Sequence, residues 1–95
     1  MKHISFQWDE NKNRVNMSKH KISFDEAKSV FYDGNAILFF DEDHSDIDER
    51  YILLGISDKL RTLIVCHCYI ENKSIIRIFS ARKATKNEMK YYFGE

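Results

Sequence analysis

Apolar residues collect into four runs in the second half of the chain, at positions 36–40, 51–56, 62–70 and 74–81, separated by polar, turn-like stretches at 41–48, 57–61 and 71–73. Short apolar runs joined by short polar loops predict strands of an antiparallel meander. The first third reads differently. Phe6 and Trp8 form a short extended lead-in, after which Asp9 is placed to cap a polar surface helix running to about His20, with Val15 as one of its few apolar anchors. Ser23 followed three residues later by Glu26 has the form of a capping box. Phe24, Ala27, Val30 and Phe31 then fall at helical spacing, predicting a core-facing helix that ends near Gly34. Thr85 and Glu88 repeat the capping signature before a short C-terminal helix. Separate helical and strand blocks predict an α+β domain: an antiparallel four-stranded sheet, two N-terminal helices packed on one face, and a short C-terminal helix.

Side chains alternate across a strand, so faces can be assigned by parity. Ile64, Cys66, Cys68 and Ile70 share one side of the third run, and Ile76 and Ile78 one side of the fourth; these sets are the expected partners of the helices. The opposite sides carry Leu63, Val65, His67 and Tyr69, and Ile75, Arg77 and Phe79, with Arg50 joining from the second run. His44 arrives from the preceding loop and Tyr91 or Tyr92 from the last helix. A histidine, a tyrosine and one or two arginines on one surface suit RNA chemistry: Arg forks pair with phosphate oxygens, Tyr stacks on an unpaired base, and His moves protons near neutral pH. Each residue alone also has an ordinary structural reading, His67 as a hydrogen-bonded strand histidine and Tyr69 as half-buried packing.

Composition narrows the class. Ninety-five residues make one domain, spanning 1–95. No apolar run approaches the roughly 18 residues of a spanning helix, and the N-terminus lacks the pattern of a signal peptide, so a cytoplasmic protein is expected. Cys66 and Cys68, two apart in one strand, are expected to be reduced and buried. With His67 between them they offer two thiols on one side without a second ligand pair, and neither a metal nor another cofactor is expected. Fifteen basic residues balance fifteen acidic ones. The distribution is uneven: Asp41, Glu42, Asp43, Asp46, Asp48 and Glu49 make an acidic loop, and Arg77, Arg82, Lys83, Lys86 and Lys90 a basic end.

Phe6, Trp8 and Asp9, then Asn16, Lys19, His20, Ile22, Phe24, Glu26, Ala27, Asp41, His44, Ser45, Glu49, Arg50, Gly55, His67 and Tyr69 resemble the pattern of the BrnT toxins. The run from Arg77 through Ser80, Ala81, Arg82 and Ala84 to Thr85 carries the most specific part of that resemblance, which covers nearly the whole chain. It implies a RelE-like fold and a small ribonuclease of a type II toxin–antitoxin system, held inactive by a BrnA-like antitoxin. That antitoxin would carry a ribbon-helix-helix portion, through which alone the complex touches operator DNA. The chemistry expected is metal-independent attack of the RNA 2′-hydroxyl on the adjacent phosphate. In that scheme Arg77 stabilises the phosphate with Arg50 or Arg82 in support, His67 or His44 serves as base or acid, and Tyr91 stacks or relays a proton. Arg82, Lys83 and Tyr69 contact the RNA. The competing readings are a non-catalytic interaction module anchored by Arg77 and Tyr69, and a nucleic-acid binder that leaves its ligand uncut.

Overall fold

A computed structural model describes residues 3–44 and 49–95, apart from the His44 side chain. Strand β1 spans Ser5–Gln7, followed by helices α1 (Glu10–His20) and α2 (Phe24–Ser29), a 3-10 turn at Val30–Tyr32, strands β2 (Ile37–Phe40), β3 (Tyr51–Ile56), β4 (Thr62–Ile70) and β5 (Ile75–Lys83), and helix α3 (Lys86–Phe93). The architecture is α+β, and the meander of β2 to β5 is antiparallel as the apolar runs predict.

The expected four-stranded antiparallel sheet of RelE-like type is corrected to a five-stranded mixed sheet in the order β1-β5-β4-β3-β2. The three-residue β1 pairs in parallel with β5, Ser5 opposite Ile75 and Gln7 opposite Arg77. A strand this short has no periodicity to read, and its partner lies some seventy positions away, so local pattern reveals the extended backbone and not the pairing.

Helix α1 begins as expected: the Asp9 carboxylate accepts from the backbone N–H of Asn11 at 2.7 Å and of Lys12 at 3.3 Å. Its anchors are not apolar. Val15 is 63 % exposed, whereas Asn13 and Asn16 are buried. The Asn13 carboxamide oxygen accepts from Phe24 N at 2.8 Å, fixing the start of α2. Asn16 donates to Ala81 O at 2.9 Å and accepts from Ala81 N at 3.1 Å, while also donating to Ile22 O at 2.9 Å. β1 covers the outer edge of β5 only as far as Arg77; beyond it the Asn16 amide makes the two bonds that a neighbouring strand would make. Polar residues that satisfy backbone groups thus dock a helix with almost no apolar stripe.

The second capping signature is half used. Ser23 Oγ accepts from Glu26 N at 3.0 Å, but the buried Glu26 carboxylate turns to Arg61, and it accepts from Ser57 Oγ at 2.7 Å. The Arg61 guanidinium is the main reason that Glu26 is held below the usual carboxylate range, outweighing burial. At α3 both halves of the box form, Thr85 Oγ1 accepting from Glu88 N and the Glu88 carboxylate accepting from Thr85 N.

The core lies between the sheet and the α2 layer: Ile22, Phe24, Ala27 and Val30 pack on Leu53, Leu63, Val65, Ile76, Ile78 and Ala81. This corrects the expected face of β4. Leu63, Val65 and His67 point to the helices; Ile64, Cys66 and Cys68 lie on the other side. Both faces of β4 are apolar, so polarity gave no basis for choosing between them. The free cysteines match the expected chemistry only in part, since Cys68 is buried and Cys66 half-buried.

A β-bulge completes the difference. Cys66 pairs with Ser80 and His67 with Ile78, leaving Phe79 as an extra residue in β5. Arg77, opposite Cys68, and Arg82, opposite Ile64, therefore share one face although five positions apart. In an unbroken strand that odd separation would put them on opposite sides.

Candidate functional site

The face of the sheet turned away from α2 is bounded by α1 beside the outer edge of β5 and by α3 at its far corner. On it lie two adjoining clefts that share Arg50. The larger, about 800 Å³, is lined among others by Lys12, Arg50, Cys68, Tyr69, Arg77 and Phe79. The smaller, about 270 Å³, is lined by His20, Asp41, Arg50, Cys66, Ser80 and Arg82 together with Ile52, Ile64 and Ala81.

The bulged Phe79 is the hub of the cations. Arg50 places its guanidinium carbon 4.1 Å from the ring centroid and Lys12 its ammonium 5.3 Å from it, both over the ring. Arg77 is exposed at the larger cleft and forms no hydrogen bond or ion pair among the described residues. Arg82 is held differently. Its two terminal nitrogens donate to the Glu88 carboxylate at 2.8 and 2.9 Å, a two-pronged pair that pins α3 to β5. The same bond lowers Glu88 to about 2 and raises Arg82 further.

At the floor, burial pushes the Cys66 thiol up despite the nearby Arg50, so it remains a protonated thiol and not a nucleophile. The Tyr69 hydroxyl, which meets His67 Nε2 on the helix side and not this floor, is also raised, first by burial. Guanidinium forks beside an aromatic ring, with Ser80, Cys66 and Asp41 beneath Arg50 and Arg82, have the chemistry to pair with an anion and to stack on a planar ring. Among the described residues no group of three or more His, Cys, Asp and Glu is placed to hold a metal ion.

The sequence-derived set is divided by these positions. Arg50, Arg77 and Arg82 share this face; Tyr69 lines the larger cleft, but it packs against the core and its hydroxyl meets His67 on the helix side. Tyr91 is 62 % exposed on α3, its ring 5.4 Å from Phe39, and flanks an apolar depression beside Glu88. Lys83 is exposed and pairs with the core residue Leu63, which puts it on the helix side, away from Arg82.

His67 does not join the arginines: it is 0 % exposed, on the opposite face. Its Nδ1 lies 3.1 Å from Val65 O and its Nε2 3.2 Å from the Tyr69 hydroxyl. A neutral ring donating from Nδ1 and accepting at Nε2 satisfies both contacts, and the Phe31 ring packs on it at 4.8 Å. Burial, which leaves the ring no exposed surface, lowers His67 to about 4. The His44 side chain, Ser45, Asp46 and Asp48 lie outside the described residues. His20 was missed as a site residue: it stood in the family pattern, but helical periodicity gave no hint that the end of α1 overhangs the sheet.

No helix among the described residues is long and apolar enough to cross a membrane. No curated protein matches the sequence. A solved structure, the ribonuclease toxin BrnT of Brucella abortus, matches with a TM-score of 0.68 at 21 % identity, over 87 % of this chain and 99 % of that one. That likeness bears on the fold. The model of the family of BrnT ribonuclease toxins of type II toxin–antitoxin systems matches residues 8–88. With that match running from just after β1 into α3, the chain belongs to the BrnT family.

Proposed function

We propose that this protein inhibits growth by cutting RNA on the two-cleft face, and that a BrnA-like antitoxin with a ribbon-helix-helix portion neutralises it in the cytoplasm. The observation that carries the reading is that Arg50, Arg77 and Arg82 stand on one face of the sheet, in two adjoining clefts that share Arg50, with Arg50 over the bulged Phe79. The reaction is metal-independent transesterification: the 2′-hydroxyl attacks phosphorus while guanidinium groups follow the charge that spreads over the non-bridging oxygens. Arg77, exposed and unengaged among the described residues, meets the phosphate; Arg50 is held ready over Phe79. Arg82 supports them once Glu88 yields part of its fork. Operator DNA is contacted only by the antitoxin.

A second reading, a docking module without chemistry, draws on the exposed apolar residues of edge strand β2: Leu38 is 48 % and Phe40 49 % exposed. One experiment separates the two. The protein is expressed under tight induction, with and without its neighbouring gene product, while growth and the integrity of cellular RNA are followed. Growth arrest with RNA cleavage, both reversed by the neighbour, supports the toxin reading; intact RNA at good soluble expression overturns it. Arg77→Ala should abolish growth inhibition at equal soluble level and unchanged fold. Retained toxicity would remove Arg77 from the site.

A further inference from the structure

We propose that His20 donates the proton to the leaving group in RNA cleavage and that Asn16 is the residue that positions it; the inference rests on the ribonuclease reading and deepens it. His20 is the last residue of α1, half-buried, and lines the smaller cleft with Arg50, Cys66, Ser80 and Arg82. Its ring makes no hydrogen bond or ion pair among the described residues.

Position follows from the helix. Asn16 and His20 are four residues apart and so lie one above the other on the same side. The Asn16 amide is fixed to both backbone groups of Ala81, and the flanking Ser80 and Arg82 face the cleft. Lys21 follows in the left-handed conformation, φ 62°, its N–H donating to Met17 O at 3.0 Å, and ends the helix immediately after His20. The amide clamp on one side and the helix stop on the other hold the imidazole over the edge of the sheet.

Chemistry selects it from its neighbours. Guanidinium groups keep their protons, and Arg82 is raised further by Glu88. The Cys66 thiol is pushed up by burial and is a poor donor. His67 is on the other face. In the reaction the 2′-oxygen bonds to phosphorus as the bond to the 5′-oxygen breaks. The 2′-hydroxyl proton passes to water and the 5′-oxygen takes the imidazole proton. The products are a 2′,3′-cyclic phosphate end and a 5′-hydroxyl end, and water reprotonates the ring.

The test uses the purified full-length protein and a short oligoribonucleotide carrying the linkage that the wild type cuts, with the 5′-bridging atom either oxygen or sulfur. A thiolate leaves without a proton donor. His20→Gln should slow the oxygen substrate by about 100-fold or more and be restored to within about tenfold of wild type on the sulfur substrate. Asn16→Ala should slow the same linkage selectively, while circular dichroism shows a folded protein and affinity for a 2′-deoxy analogue is unchanged. His20→Asn serves as a second variant should His20→Gln reduce the folded fraction. Equal losses on the two linkages, or a wild-type rate on the oxygen substrate, overturn the assignment. A wild type that leaves RNA intact overturns the ribonuclease reading itself, a distinct result visible before any variant is made.

Discussion

His67 is satisfied by its own strand, through the Val65 carbonyl and the Tyr69 hydroxyl, and sits against Phe31 with no exposed surface. It therefore reports on stability. Its folded value of about 4 lies below the usual 6.5, so the unfolded chain binds the extra proton first. Stability from this residue is complete above pH 6.5 and is lost as the pH falls toward 4. Between pH 7 and 5 urea unfolding should show a loss of about 2 kcal/mol, and His67→Gln should flatten that part of the profile. Gly55 makes a separate case. A Cβ there would stand 2.9 Å from Ala36 Cβ, Asp33 Oδ2 and Val30 Cγ1. Two of those atoms are core side chains, and Asp33 is held by Ile56 N at 2.9 Å and by the Tyr92 hydroxyl at 2.6 Å. Gly55→Ala should cost about 1–3 kcal/mol in the same measurement. At this scale the cap residues Asp9, Ser23 and Thr85 were legible, because capping depends on neighbours within three positions. The burial of His67 and the second use of Glu26 were not, since their partners are set by tertiary contact.

Elements joined by local signals were read well, and those defined by distant pairing were not. The meander, the capped α3 and the apolar stripe of α2 all follow from short-range pattern. The face of β4 did not, because Ile64, Cys66 and Cys68 are as apolar as Leu63 and Val65, and the bulge at Phe79 breaks the parity of β5. Register split the candidate site: Arg77 pairs with Cys68 and His67 with Ile78, so Arg77 and His67 lie on opposite faces. The β4–β5 hairpin is a strained connection. Glu71, Asn72 and Lys73 all adopt left-handed backbone, at φ 50°, 56° and 68°, a conformation costly for residues with a Cβ. Lys73→Gly should therefore raise the unfolding midpoint by up to about 1 kcal/mol in stability, whereas Lys73→Val should lower it. The strain stands at the mouth of the larger cleft, which Glu71, Asn72 and Lys73 all line.

Over the whole molecule the charges cancel, fifteen against fifteen, so attraction to RNA has to come from local arrangement. Lys12, Arg50, Lys73, Arg77 and Arg82 are the lysines and arginines of the two clefts, and three or four phosphate contacts predict a log–log dependence of single-strand RNA affinity on salt with a slope of about −2 to −3. Arg77→Ala should make that slope shallower by about 0.7. A slope near zero would detach RNA from this face. Family membership was legible because the motif residues are many and spread along the chain, whereas the geometry of the clefts waited on β1, the Asn16 amide and the bulge. That bulge gives the site an arithmetic requirement. Arg77 and Arg82 share a face only because one residue between them is uncounted by the partner strand, so removing a single position from that interval would keep both arginines and their charge, yet turn one of them into the core. Here the length of a segment, and not the identity of any residue within it, is what a working copy has to preserve.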